Sequence, residues 1–173
     1  MMARPPFHRI RRGGTVAAAF DRAEADVLGQ VCRQLAGLFA SASGTSGVSG
    51  EVIERLFPRA YLDPTEEEAE AEWQRLVHDD LVAGRRRALE VVRRSLADAP
   101  VRRGRLELTL SEDQAQAWLS VLNDARLALG TQLGVKEDLD LSRLDSSSPE
   151  SAPYAMYGWL SFLEEHLVQA LSG

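Results

Sequence analysis

A chain of 173 residues, 45% hydrophobic and 27% charged, has the size and composition of one globular domain and can bury a core without disulfides or metals as staples. Its net charge of −6 argues against a generic binder of nucleic acid or anionic membrane. The single cysteine, Cys32, excludes an intrachain disulfide framework and a Cys-rich zinc site. No apolar run reaches the length of a membrane span and the first residues lead into no signal-peptide core, so the expected compartment is the cytoplasm.

In chain order, Phe7-His8-Arg9-Ile10 and residues 15–20 flank Gly13-Gly14, a dipeptide suited to the positive φ angles of a two-residue turn, and predict a β-hairpin. Asp21 caps the next helix, with Glu24 placed to complete a capping box, and Val27, Val31, Leu35 and Leu38 recur at helical spacing through Phe39. Leu28 and Cys32 widen that face. Residues 41–50 (SASGTSGVSG) read as a flexible loop between helices and not as a domain boundary, because the pieces on either side are too small to stand alone. A short helix over about residues 51–57 stops at Pro58.

Asp63-Pro64-Thr65-Glu66 is the strongest helix start in the sequence: a cap oxygen, a proline at the first turn, and acids at the positive end of the dipole. The helix runs to about Leu96, with Gly84 as the place for a kink. Residues 100–104 end it. Residues 105–110 alternate cleanly and supply a third strand, since a lone hairpin is only marginally stable. Ser111 and Gln114 form a second capping box for a helix ending near Gly134. An acidic, Ser-rich loop over residues 136–150 precedes a last helix over about residues 153–171. The expected fold is mainly α (α+β), a bundle-like set of helices around Trp73, Trp118 and Trp159 with a small antiparallel sheet.

Polar residues on apolar faces carry the next expectations. The long helix gathers Trp73, Leu76, Val77, Gly84, Ala88 and Val91 on one side with Asp80 among them, while Arg126 intrudes on the face of Ala115, Trp118, Leu119 and Leu122. Two lone opposite charges predict one interhelical ion pair, Asp80–Arg126, whose disruption would cost about 3–5 kcal/mol. Adjacent helical residues point about 100° apart, which sets His78, Asp79 and Asp80 against a shared metal. Phe162 points away from the apolar face of the last helix and is a candidate partner contact, although lone exposed apolar residues are common. Arg85, Arg86 and Arg87 open a basic stretch reaching Arg105, either a patch for a partner or nucleic acid or a set of charges answering the helix dipole and the acidic excess. Neither a nucleophile elbow nor a phosphate loop nor a His-Glu metal helix is present, and His8, His78 and His166 lie in separate elements. No enzyme, cofactor or metal is expected.

Four segments together resemble blocks of the AosR-like family, an actinobacterial group long catalogued as a domain of unknown function. They are Glu54-Arg55-Leu56-Phe57-Pro58-Arg59-Ala60-Tyr61, His78-Asp79-Asp80-Leu81, the stretch from Trp118 to Gly130 (WLSVLNDARLALG), and Tyr157-Gly158-Trp159-Leu160. The resemblance spans nearly the whole chain. It implies a cytoplasmic, non-enzymatic regulator of the oxidative-stress response, acting on the transcription machinery through a partner such as a sigma factor or RNA polymerase. It also implies a switch built on oxidation of a cysteine pair, from which this sequence departs. With Cys32 alone, what remains is an intermolecular or mixed disulfide or a sulfenic acid, against the plain alternative of a half-buried small hydrophobe. Direct DNA binding through residues 85–105, an adaptor role in Clp proteolysis (members of the family are encoded beside a Clp adaptor) and a homodimer stay open as alternatives.

Overall fold

The computed structural model describes residues 5–10, 15–42, 50–135 and 151–173. Strands β1 (Phe7–Ile10) and β2 (Thr15–Asp21) lead into helix α1 (Arg22–Ala42), followed by the short α2 (Gly50–Leu56). A single 3-10 turn (Pro64–Glu66) opens α3 (Glu67–Asp98), and β3 (Val101–Arg102) and β4 (Arg105–Leu110) precede α4 (Glu112–Leu133) and α5 (Ala152–Ser172). The mainly helical fold with a small antiparallel sheet matches the sequence expectation. The Gly13-Gly14 turn and most of the loops at 41–50 and 136–150 lie outside the described residues.

All four strands pair antiparallel in the order β1-β2-β4-β3. The strand before β4 was not anticipated: residues 100–104 read as a helix end, yet Val101 pairs with Leu106 and Arg102 with Arg105. Arg103 and Gly104 between them both take positive φ, 51° and 76°, the backbone of the two-residue turn that matches strand twist. Alternation then decides which side is buried. Val16, Ala18 and Phe20 of β2 and Leu108 and Leu110 of β4 face inward, joined by Phe7 of β1. Trp118 of α4 closes this face, stacked on Phe20 at 5.8 Å and edge-on to Phe7 at 5.8 Å.

Helix α4 is the hub, packing against α5, α3 and α2 as well as the sheet. Its ends are fixed by local chemistry. Ser111 accepts from the Gln114 amide and Gln114 reaches back to the Ser111 amide, the expected capping box; Gly134 closes the helix at φ 63°. Asp21 and Glu24 form the same reciprocal cap on α1. Asp63 accepts from the Thr65 amide at the turn before α3. That helix passes Gly84 without a break. Among the described residues no helix is long and apolar enough to cross a membrane.

The core differs from expectation in one place. Trp118 is fully buried and Trp159 packs partly buried against the core, but Trp73 belongs to neither group. Apolar residues of α3 join the core only from Val82 onward. Ser111→Ala should lower stability by about 1 kcal/mol and Ser111→Gly by only a few tenths, read from chemical denaturation of the two variants.

Candidate functional site

Among the described residues the ion pair with the most deeply buried carboxylate joins α3 to α4, and it is not the expected one. Asp124 is 1% exposed and pairs with Arg85 Nη1. Arg85 Nη2 donates to the Leu56 carbonyl at 2.8 Å, at the end of α2, and its guanidinium lies 5.0 Å from the Phe57 ring centre. Phe57 in turn meets Phe39 of α1 and His78 of α3, with ring centres 6.3 and 5.3 Å away. His78 Nε2 lies 3.2 Å from the Ala42 carbonyl, so the node reaches the end of α1. Asp124 Oδ2 has no hydrogen-bond partner among the described residues, which leaves Arg85 as the sole answer to its charge. Burial pulls the Arg85 pKa below its ordinary value.

Asp80 and Arg126 do not meet. Asp80 is exposed on α3, and Arg126 Nε instead pairs with Glu164 Oε2 of α5 at 2.6 Å. The reason is rotational. The inward face of α3 centres on Val82, Arg85, Leu89 and Val92, with Ala88 at its margin, and not on Trp73, Leu76 and Asp80, and the arginine inside that stripe hid its apolar character. On α4 the buried carboxylate sits at helical spacing between Val121 and Ala128, in register with the apolar residues around it. A 3-4-3 spacing of Val82, Arg85, Leu89 and Val92 was the available signal for the correct face.

A second carboxylate was also missed. Glu70 is buried and accepts from the amides of Ala60 at 3.0 Å and Tyr61 at 2.8 Å, and from Gln74 Nε2 at 2.8 Å. Arg59 Nε stands 3.9 Å from it. The Gln74 bond first, then the Tyr61 amide, hold its carboxyl below the usual range. Inside a run of glutamates nothing in the sequence marks this one as the clamp on residues 59–61.

Cys32 is 2% exposed. Burial pushes its thiol up to about 11, with Arg93 and Arg33 opposing only in part. A thiol so placed is a poor nucleophile near neutral pH, so the structure supports the small hydrophobe, more deeply buried than expected, and not an exposed redox centre. The arginines are similarly committed. Arg86 donates to the Phe39 carbonyl at 2.8 Å, while Arg93 and Arg94 lie on Glu90 at 3.5 and 2.8 Å. Arg102 sits 3.7 Å from Glu107 and Arg105 3.8 Å from Glu24. Arg87 is exposed. Phe162 is exposed as expected, and its ring meets that of His166 at 4.1 Å.

A cleft of about 680 Å³ between α1, α4 and α5 is lined by Val31, Leu35, Leu38, Leu129 and Met156, with Gln30, Gln34 and Gln132 among the polar members. Among the described residues no ionisable side chain lines it, so what they offer there is a surface for apolar groups. Among the described residues no three His, Cys, Asp or Glu side chains are grouped to hold a metal.

Residues 3–171 match a family described as a domain of unknown function, DUF2017. The protein named oxidative stress regulator AosR of Mycobacterium tuberculosis (strain ATCC 25618 / H37Rv) is 41% identical over 87 residues, which is 50% of this chain and 38% of that protein. The putative oxidative stress regulator AosR of Mycobacterium leprae (strain TN) is 35% identical over 130 residues, 69% of this chain and 57% of its own length. The matched stretches thus span less than two thirds of these relatives. No solved structure matches the chain.

Asp124→Ala should destabilise the fold by about 3–5 kcal/mol, because it strands Arg85, whereas Asp80→Ala should leave the melting midpoint unchanged. Thermal melts of both variants distinguish this pair from the one expected from sequence. Cys32 should react with iodoacetamide near pH 7.5 far more slowly in the folded chain than in denaturant. Since folding disfavours the thiolate, its contribution to stability is intact below the ordinary thiol pKa and is lost as the pH rises toward about 11. Cys32→Ala should be less sensitive to pH across that alkaline window, checked by denaturant titrations at stepped pH.

Proposed function

This chain belongs to the DUF2017 family, and from that membership we propose that it is a non-enzymatic regulator of the oxidative-stress response that works by contacting proteins of the transcription machinery, a sigma factor or RNA polymerase among them. The observation that carries the proposal is the identity shared with mycobacterial proteins that bear the name oxidative stress regulator. Cytoplasmic action follows from such a role.

The chemistry of the described residues is consistent with a binding protein. Its buried carboxylates are engaged in holding segments together: Asp124 with Arg85, and Glu70 with residues 60–61. A cysteine-pair switch does not carry over, since the chain has one cysteine and it is buried. In this chain the oxidant signal therefore arrives through the partner and not through an intramolecular disulfide. Protein contact is favoured over direct nucleic-acid binding because Arg93, Arg94, Arg102 and Arg105 lie beside carboxylates on the chain's own surface, which weakens the field a phosphate backbone would meet.

Deleting the gene in its host should lower survival after a peroxide challenge, and both the wild-type chain and Cys32→Ser should restore it. Unchanged survival would contradict the stress role, and restoration that requires Cys32 would contradict the partner-borne signal. Purified chain should retain RNA polymerase or a sigma factor while showing no salt-sensitive affinity for duplex DNA.

A further inference from the structure

We propose that the first half of α3 is a docking surface and that its occupant is a basic amphipathic helix of a partner protein. This rests on the protein-contact reading above and adds the surface and the chemistry that meets it.

The division of α3 is the starting observation. Trp73, Leu76, Val77 and Leu81 belong neither to the core nor to the apolar residues packed against it. Steps of three and four residues place Leu76 and Val77 beside Trp73, and Leu81 beside Val77, in one strip about two turns long. Leu76 is 63% exposed. At the entrance to the helix Glu70 holds the Tyr61 backbone, so Tyr61 and the largely exposed Leu62 add apolar surface to the same half. Tryptophan is the side chain most often found to anchor a protein interface.

Charge identifies the occupant. Glu66, Glu68, Asp79 and Asp80 are exposed and carry no ion pair among the described residues. The one arginine in this half, Arg75, already faces Glu72 at 3.7 Å, and Arg59 before the helix is taken by Glu67 and Glu70. By contrast, several arginines of the following stretch have carboxylates beside them. The strip is thus an apolar surface with an unanswered negative rim. A partner helix with leucine-like residues on one side and lysine or arginine along its margins answers both features. Two copies of this chain meeting through the same strip would oppose like charges, which disfavours a second copy as occupant.

The probe is a synthetic amphipathic helix of leucine and lysine, titrated into labelled full-length chain and followed by amide and indole NMR. The Trp73 indole signal is identified by its loss in Trp73→Phe. Saturable shifts of that signal and of amides 72–81 are expected, with the buried Trp118 indole unmoved. Leu76→Asp should weaken binding roughly tenfold at an unchanged melting midpoint. The double variant Asp79→Lys/Asp80→Lys should weaken it too and flatten its salt dependence. Equal binding by a leucine–glutamate isomer, shifts centred on Phe162 or on the α1–α4–α5 cleft, or wild-type affinity in Leu76→Asp would overturn the proposal. Dimerisation of the wild type that Leu76→Asp abolishes would overturn it in favour of a self-interface. Binding is read on purified protein, so this outcome is separable from the peroxide phenotype.

Discussion

The guanidinium of Arg85 does the work that fixes how the helices sit. It answers the only oxygen of Asp124 that has a partner, holds the carbonyl end of α2 through Leu56, and lies over Phe57, whose ring touches α1 through Phe39. A charge buried at the α3–α4 interface is tolerable only in one geometry, because any other docking leaves Asp124 in an apolar interior without a counter-charge. The pair is therefore better understood as a register device than as a source of stability. Helix α3 runs unbroken past Gly84, held on either side of that residue by the Phe57–His78 contact before it and by Arg85 after it.

The two halves of α3 are covered differently. From Val82 onward α3 is a core element, and before it Leu76 and Leu81 stand exposed while Trp73 and Val77 are half-buried outside the core. The same boundary separates the charges. Acidic residues without partners crowd the first half, and arginines matched to carboxylates follow. In the regulator reading proposed above, a helix rooted in the core at one end and exposing Leu76 and Leu81 at the other gives a physical basis for contact with another protein. Cys32, buried on the inner face of α1, plays no visible part in that contact.

Elements set by local rules were legible in the sequence. Capping boxes at Asp21 and Ser111, the proline-led start at Asp63, and the alternation of residues 105–110 all depend on neighbours a few positions away, and each stands where it was expected. Features set by distant partners were not. The apolar residues of α3 alone mark the wrong stripe, because the charge of Arg85 on the inward face is answered by Asp124, thirty-nine positions later. Trp73 and Leu76 looked like core for the converse reason: hydrophobicity marks what can be covered, not what covers it. Asp80 and Arg126 were both flagged for good local reasons, yet each faces somewhere other than its expected partner, solvent in one case and Glu164 in the other.

The claim that one helix is half scaffold and half exposed surface is tested most directly by native-state hydrogen exchange along α3. Amides from Val82 to Val92 should exchange only with global unfolding, together with the centre of α4, while those from Trp73 to Leu81 should exchange through smaller openings at lower free energy. Equal protection along the whole helix would contradict the account, because it would mean that the first half is held as firmly as the half that carries Arg85.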